Sequence, residues 1–473
     1  MPARLRKTKV IATIGPACDS PDVLRRMVEA GMNVARLNLS HGTLAEHEAR
    51  LVRIREVCRE LSANVAVMLD TKGTEIRTGL VRNGAVELVE GEPFVLTVKE
   101  EVGDHERVSI SYKRLPAEIK LGSPILLDDG RLELRVVSLD SESIRCQVVR
   151  GGELGNSVGV NVPETSLSLA RISEANREDL RFAAQHDVDY VAVSFVRSAG
   201  DVVEVRRALE QLGAEIPIIA KIENREGVGN LDGIVAEANG AMVARGDLGV
   251  ELAVEEVPLV QKRIIRTTVM SGKPVITATQ MLDSMERSPR PTRAEASDVA
   301  NAILDGTSAV MLSGETAKGR YPVEAVRTMA SLALTAEKSL ADYGYLQKIL
   351  PNPANVVTEA VAQAAITMAR HLQAAAIVTL TASGFTSRAI SKYRPDCPIL
   401  AVTISENVVR KLAMNWGVTA MFYQGERDDA AQIRAGLARL AELGCVRPGD
   451  VVVATAGISG ETGSTNLIRV VTA

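Results

Sequence analysis

Short apolar runs and longer amphipathic stretches alternate along most of this chain. The runs fall at 9–14, 33–39, 64–69, 188–195, 216–222, 241–244, 274–278 and 308–312. Stretches such as 20–30, 43–61, 174–185, 201–212, 255–271 and 293–304 carry apolar residues at helical spacing. A strand hidden on both faces loses period-two alternation and reads as nearly continuous apolar sequence. Eight such strands, each followed by a helix, predict an α/β fold: a (β/α)8 TIM barrel.

The third unit is interrupted. After Asp70 the chain turns to β-type alternation, as in "GAVELVEGEPFVLTV" and "SPILLDDGRLELRVVSLDSESIRCQVV", with turn signals at Asp129-Gly130 and Leu139-Asp140-Ser141. Helical periodicity resumes near Ile172. These features predict an inserted β-rich, β-barrel-like domain over 71–170, dividing the barrel into 1–70 and 171–345. It emerges where βα loops leave a barrel, a position suited to a mobile lid rather than decoration. "YLQKILPNPANVV" then breaks the periodicity with two prolines, and 346–473 reads as a C-terminal α/β regulatory domain with a parallel sheet wrapped by helices.

Composition narrows the class. The chain has 473 residues and a formal net charge of −4, which argues against a generic nucleic-acid binder. Cys18, Cys58, Cys146, Cys397 and Cys445 form no CxxC, and the histidines form no HExxH, so neither a disulfide framework nor a zinc site is expected. The segment "MPARLRKTKVIATIGP" lacks an apolar signal core, and no uninterrupted apolar stretch reaches membrane-spanning length. A cytoplasmic protein without nucleic-acid or membrane partners is expected.

Barrel enzymes place their chemistry at the C-terminal ends of the strands. Those ends carry "TIGP" on strand one, Arg36, Asn38 and Ser40 on strand two, and Asp70 and Thr71 on strand three. Strand five carries Lys221 and Glu223, strand six Arg245 and Asp247, strand seven Thr279, and strand eight Ser313 and Glu315. In "IIAKIEN" Lys221 and Glu223 stand two apart, so they share one strand face. Glu223 and Asp247, on neighbouring strands, suit a hard divalent cation such as magnesium. The competing arrangement is an ion network with Arg36, Arg245 and Lys221. Concentration of both signs at the catalytic end favours the metal. Arg36, Arg77 and Lys221 are then left for an anionic substrate, and the N–H groups of Gly246 and Asp247 in "ARGDLG" suit a carboxylate. Asn38, Ser40, Asp70 and Thr71 form a weaker-field oxygen set, suited to a monovalent cation.

The segments "ARLNLSHG", "LDTKGTEIRTG", "IIAKIENREGV", "MVARGDLGVEL", "TATQMLDSM" and "RPTRAEASDVANAILDGTSAVMLSGETAKGRYP" closely resemble signature segments of the pyruvate kinase family. The resemblance runs from "KTKVIATIGPAC" to "GSTNLIRV". It implies phosphoryl transfer from phosphoenolpyruvate to ADP, giving pyruvate and ATP, with Mg(2+) or Mn(2+) and K(+) as cofactors. It implies that Lys221 is the catalytic lysine, that Glu223 and Asp247 hold the divalent metal, and that Arg36 binds phosphate. Gly246, Asp247 and Thr279 match substrate-contacting positions. Asn38, Ser40, Asp70 and Thr71 match the potassium site, and Arg77, Asn38 and His41 fall at nucleotide-binding positions. Glu75 is the residue that accompanies potassium dependence in the family. A homotetramer is implied in the same way.

Two positions depart from the family pattern. Thr74 replaces a usual proline, and Val158 in "GNSVGVNVP" stands where many members have a phosphate-contacting lysine. Arg77 and the metal are therefore expected to supply most nucleotide binding. In "TLTASGFTSRAISKYRP", Thr379, Thr381, Ser383, Thr386 and Ser387 lie between a strand and a helix, where hydroxyls serve either as turn and cap groups or as a phosphate cradle. The loop resembles the family's sugar-phosphate effector loop, so a phosphorylated metabolite effector is expected there. Leu443, where some sugar-bisphosphate-sensing members have arginine, weakens that particular effector. A magnesium-enolate lyase or aldolase would share the metal carboxylates but would not require the lid or the monovalent-cation set. A catalytically silent sensor would not require Lys221, Glu223, Asp247 and Thr279 intact.

Overall fold

In a computed structural model, residues 5–163, 165, 167–168, 170–344, 356–457 and 465–473 are described. Eight parallel strands close into a barrel: Lys9–Thr13, Val34–Asn38, Ala66–Asp70, Tyr190–Val193, Ile218–Ile222, Gly240–Ala244, Val275–Ala278 and Ala309–Leu312. Each apolar run of the sequence becomes one of these strands, shifted by one or two residues at its ends. Alternate residues separate into two layers. Ile11, Met68, Ile219, Met242, Ile276 and Met311 fill the barrel interior, while Val10, Val67, Ile218, Ala220, Val243 and Val310 pack against the surrounding helices. Both faces are apolar, which is why the strands show no alternation in sequence. Several helices begin where a side chain can satisfy free N–H groups: Thr43 and Thr292 form capping boxes with Glu46 and Glu295, and Ser173 caps Glu174–Gln185.

The inserted domain contains a seven-stranded sheet from Ile76–Arg77 to Gly159–Asn161 and a small two-stranded sheet, around a core that includes Phe94, Leu96, Leu134 and Ile144. Its first connection is held to the barrel. The Thr71 N–H still donates to Ala192, Lys72 N–H donates to Asp179 (2.9 Å) and Gly73 N–H to Asn176 (3.1 Å). Gly73 has φ +78°, and a Cβ there would lie 2.6 Å from the Phe195 ring, so glycine is required on two counts.

The C-terminal domain corrects one expectation. Its first four strands, Ala376–Leu380, Ile399–Thr403, Val418–Phe422 and Val451–Gly457, are parallel, but the fifth, Thr465–Thr472, pairs antiparallel with Val451–Gly457 at the sheet edge. The connection 458–464 is shorter than the roughly dozen residues that a parallel crossover needs. The 345/346 boundary and the proline-bearing segment 345–355 lie outside the described residues. Ala413 and Met414 of this domain join the inner barrel cluster, and Tyr190 at the start of strand four donates its hydroxyl to the Lys411 carbonyl. The C-terminal domain therefore docks on the barrel end opposite the catalytic loops. Among the described residues no helix is long and apolar enough to cross a membrane.

Candidate active site

The strand ends do converge. Strand five turns Ile219 and Lys221 inward, and Glu223 follows at its end. The Lys221 ammonium lies 2.8 Å from Glu223, 3.1 Å from Asp70 and 2.7 Å from the Ser194 hydroxyl. Arg36 donates from Nε to the other Asp70 oxygen (2.7 Å) and from Nη1 to the Thr13 hydroxyl (2.9 Å). These groups come from strands one, two, three, four and five, and Asp70 and Glu223 are buried. The ion network weighed from sequence is thus the arrangement adopted by Arg36, Asp70, Lys221 and Glu223. Arg245 stands apart from it, paired with Asp298 at 2.6 Å.

The electrostatics follow from this packing. Burial works against the Asp70 carboxylate, but Lys221 and Arg36 outweigh it and hold Asp70 below the usual range. Burial likewise opposes the Lys221 ammonium, yet Asp70 and Glu223 raise it above its ordinary value, so it stays charged. Glu223 is pushed up by burial and by Asp247, against the pull of Lys221. Asp247 is raised by burial and further by Asp129 and Glu75, two carboxylates of the inserted domain. The inserted domain therefore brings negative charge close to Asp247.

The charge of half-buried Asp247 acts on buried Glu223, a repulsion that a divalent cation between them would relieve. Among the described residues no group of three or more His, Cys, Asp or Glu side chains gathers into a closed metal cage. Two carboxylates fit magnesium or manganese, with the remaining positions falling to substrate oxygens and water. For a monovalent ion, Asn38 and Asp70 lie in register on strands two and three, and the Asn38 side-chain Oδ1 accepts from the Ser40 N–H at 3.2 Å. Thr71 follows Asp70 directly and is buried. An oxygen-only set spread over adjacent strand ends fits potassium.

Strand seven ends in strained backbone. Thr279 and Gln280 have φ of +65° and +53°, unusual for any residue with a Cβ and most of all for a β-branched one. Arg245 holds this turn by donating to the carbonyls of Ala278 (3.3 Å) and Thr279 (2.7 Å), itself anchored by Asp298. The result brings the Thr279 hydroxyl to the Gly246 N–H at 2.8 Å. One of the two amides assigned to a substrate carboxylate is thus already paired with Thr279.

A cavity of about 450 Å³ opens between barrel and inserted domain, lined by Asp247, Ser194 and Phe195 on one side and by Glu75, Asp129 and Asn161 on the other. Arg77, Asn38 and His41 do not line it. Arg77 lies on the inserted domain, paired with Glu75 and donating to the Ser157 carbonyl (2.9 Å), while the His41 side chain is exposed. Val158 also stays out of the cavity and packs against the inserted domain's own core.

Residues not anticipated from sequence are Ser194, Phe195 and Asp298. Ser194 ends strand four, the strand end absent from the sequence-based inventory. Its hydroxyl donates to the Thr71 carbonyl (2.8 Å) and accepts from Lys221. Phe195, also at positive φ, donates its N–H to Glu223. "VSFVRS" offers a serine at a strand end as the available signal; Asp298, inside a helix, offers none.

In the C-terminal domain the five hydroxyl residues gather before and within Phe385–Lys392, but most are engaged inside the fold. Thr379 and Ser387 share a buried hydrogen bond (2.7 Å), Thr386 meets Thr465, and Thr381 accepts from the Gly384 N–H (2.8 Å). The Ser383 carbonyl accepts from Arg388 (3.1 Å).

Comparison with known proteins agrees with this architecture. The family model "Pyruvate kinase, barrel domain" matches residues 5–326, and "Pyruvate kinase, alpha/beta domain" matches 359–471. A pyruvate kinase of Geobacillus stearothermophilus is 50% identical over 469 residues, covering 98% of this chain and 80% of that protein. One from Staphylococcus aureus is 47% identical over 473 residues with the same coverage. The crystal structure of a pyruvate kinase from Cryptosporidium parvum superposes with a TM-score of 0.92 at 38% identity, covering 99% of this chain and 96% of that one. With both domain models matched in order and half the residues shared with a relative across nearly the whole length, the chain belongs to the pyruvate kinase family.

Proposed function

We propose that this chain transfers the phosphoryl group of phosphoenolpyruvate to ADP, yielding pyruvate and ATP as the last step of glycolysis, with a divalent metal and potassium as cofactors. The observation that carries the proposal is the buried Lys221 ammonium, held between Asp70, Glu223 and Ser194, of which Ser194 lines the cavity together with Asp247.

Phosphoryl transfer needs positioning and charge neutralisation more than covalent help. Lys221 is fixed on a rigid strand and kept protonated by its carboxylates, so its charge is in place before negative charge shifts to the transferring group and the enolate oxygen. Arg36 is oriented by Asp70 and Thr13 to meet phosphate oxygens. The substrate carboxylate would replace the Thr279 hydroxyl as acceptor for the Gly246 N–H and add the Asp247 N–H. That exchange frees Thr279 to orient the water or relay that protonates the enolate. Glu223 and Asp247 would hold the divalent ion, which supplies Lewis-acid charge neutralisation when bound. Asn38, Ser40, Asp70 and Thr71 would hold potassium, with Glu75 consistent with that requirement. Arg77, Asn38 and His41 would contact the nucleotide once the inserted domain closes. A phosphorylated effector at Thr379–Ser387, a homotetramer and a cytoplasmic location complete the reading.

The test is a phosphoenolpyruvate saturation curve for ATP formation, with and without potassium and with a panel of sugar phosphates and nucleotides. Activity that depends on both metal ions and responds to one of the effectors supports the full reading. Undiminished turnover in potassium-free buffer removes the monovalent-cation assignment.

A further inference from the structure

The end of strand two and the loop that joins it to the helix Leu44–Glu60 carry three of the residues proposed to meet potassium and the nucleotide: Asn38, Ser40 and His41. Ser40 and His41 are exposed, and the loop folds back on Asn38. The Ser40 N–H donates to Asn38 Oδ1 (3.2 Å), and the His41 N–H donates to the Asn38 carbonyl (3.3 Å). Two residues of the helix hold the far end of this loop. Glu46 accepts from the Thr43 N–H (2.7 Å) as half of the capping box. The Nε2 of His47 meets the His41 carbonyl at 2.8 Å.

His47 is the informative group. With Leu51, Ile54 and Cys58 it forms the buried stripe of its helix, where an apolar side chain would be the ordinary choice. Burial holds the imidazole below its ordinary range, against the His41 carbonyl, so the ring is neutral at pH 7. A carbonyl only accepts, so Nε2 carries the proton and donates. The capping box secures the start of the helix whatever the loop carries. His41 lies two residues before the cap residue Thr43, outside that box, so its carbonyl bond serves the loop and not the helix start. The post itself is fixed. Arg50, one turn further on, reaches Asp19 at 3.5 Å in the loop after strand one.

We propose that His47 is a positioning residue for the potassium and nucleotide sites: through the His41 carbonyl it fixes the loop on which Asn38, Ser40 and His41 present their groups. The inference rests on the roles proposed for those three residues and extends them to a side chain that touches neither ligand. Displacement of His41 reaches Asn38 directly, because the His41 N–H is bonded to the Asn38 carbonyl. Arg36 and Lys221, proposed to meet phosphoenolpyruvate, lie within paired barrel strands and do not depend on this loop. The effect of His47 is therefore confined to potassium and ADP.

The test compares His47→Gln with His47→Asn in the full chain. A glutamine amide can reach the place of Nε2 and donate, whereas asparagine, one methylene shorter, cannot. His47→Asn should raise the ADP Michaelis constant and the half-saturating potassium concentration about tenfold, with kcat at saturation and the phosphoenolpyruvate constant unchanged. His47→Gln should leave all of them within about twofold of the unaltered protein. Two readouts are independent of turnover. Equilibrium dialysis of ADP without phosphoenolpyruvate should show the same loss of affinity in His47→Asn. The rise in melting temperature when potassium replaces tetramethylammonium at equal ionic strength should need about ten times more potassium in that variant. Equal ADP and potassium binding by the two variants overturns the proposal. So does a loss that extends equally to phosphoenolpyruvate, which marks general damage to the fold. Where His47→Asn does not fold, His47→Gln decides alone: constants within about twofold support the proposal and a larger shift overturns it. An unaltered chain that forms no ATP from phosphoenolpyruvate and ADP overturns the proposed function itself, a failure visible before any variant is made.

Discussion

Lys221 shows how one side chain serves both structure and chemistry. Read from "IIAKIEN" alone, it and Glu223 are a same-face pair, and the folded chain does pair them, at 2.8 Å. The pairing keeps the ammonium charged in a buried place where desolvation would otherwise neutralise it. Lys221→Met should lower kcat for ATP formation by at least ~10²-fold, in keeping with the removal of a preorganised electrostatic stabiliser. Near-normal turnover would sink the catalytic assignment. Val158 supports a second test. Packed on the core of the inserted domain, it brings no charge to the nucleotide. Val158→Lys should lower the ADP Michaelis constant by about tenfold, the worth of one charge-assisted hydrogen bond. An unchanged constant would show that this position is irrelevant here. Lys9 titrates in a measurable range: burial and the neighbouring Arg6 lower its ammonium to about 7, against Glu337. The unfolded chain, with an ordinary lysine near 10.4, binds the proton more tightly across that interval. Stability should therefore rise with pH between about 7 and 10 by up to ~1.4 kcal/mol per unit from this group. Denaturant titrations of Lys9→Met across the same range should lack that component.

At the scale of elements, the connection from strand three into the inserted domain is the most constrained segment. Asn176 and Asp179 sit three residues apart on the helix Glu174–Gln185 and take the N–H groups of Gly73 and Lys72. One helix thereby fixes where the hinge begins. Gly73→Ala should destabilise by about 2 kcal/mol or more, because left-handed strain adds to a clash with Phe195. Gly91→Ala is the control: φ is +86° but no atom lies within 4 Å of the new Cβ, so only about 1 kcal/mol is expected. Equal shifts in urea midpoint for the two variants would mean that contact with Phe195 contributes nothing. Most elements were legible in advance, since apolar runs and helical periodicity report burial directly. The antiparallel edge strand Thr465–Thr472 is not anticipated by the expected parallel sheet, because its half-exposed pattern carries no information about its partner.

For the whole molecule, the sequence by itself determined the barrel, the insertion and the separate C-terminal domain, because each buries apolar residues with its own period. It also determined which strand ends carry charge, since position along a parallel barrel strand decides which side chains reach the catalytic face. From sequence Lys221 and Glu223 read as separate contributors to substrate and metal; that they also lie 2.8 Å apart is a question of spacing in three dimensions. Only the tertiary structure decided that Ser194 completes the Lys221 environment, that Asp298 holds Arg245 against a strained Thr279, and that Val158 lies outside the cavity. Lys7 and Arg394, separated by most of the chain, likewise meet over the Trp416 ring only on folding. Local pattern records which face of an element is hidden. Which polar groups meet across that hidden space depends on closure of the barrel and docking of its neighbours, and neither leaves a periodic trace in the chain.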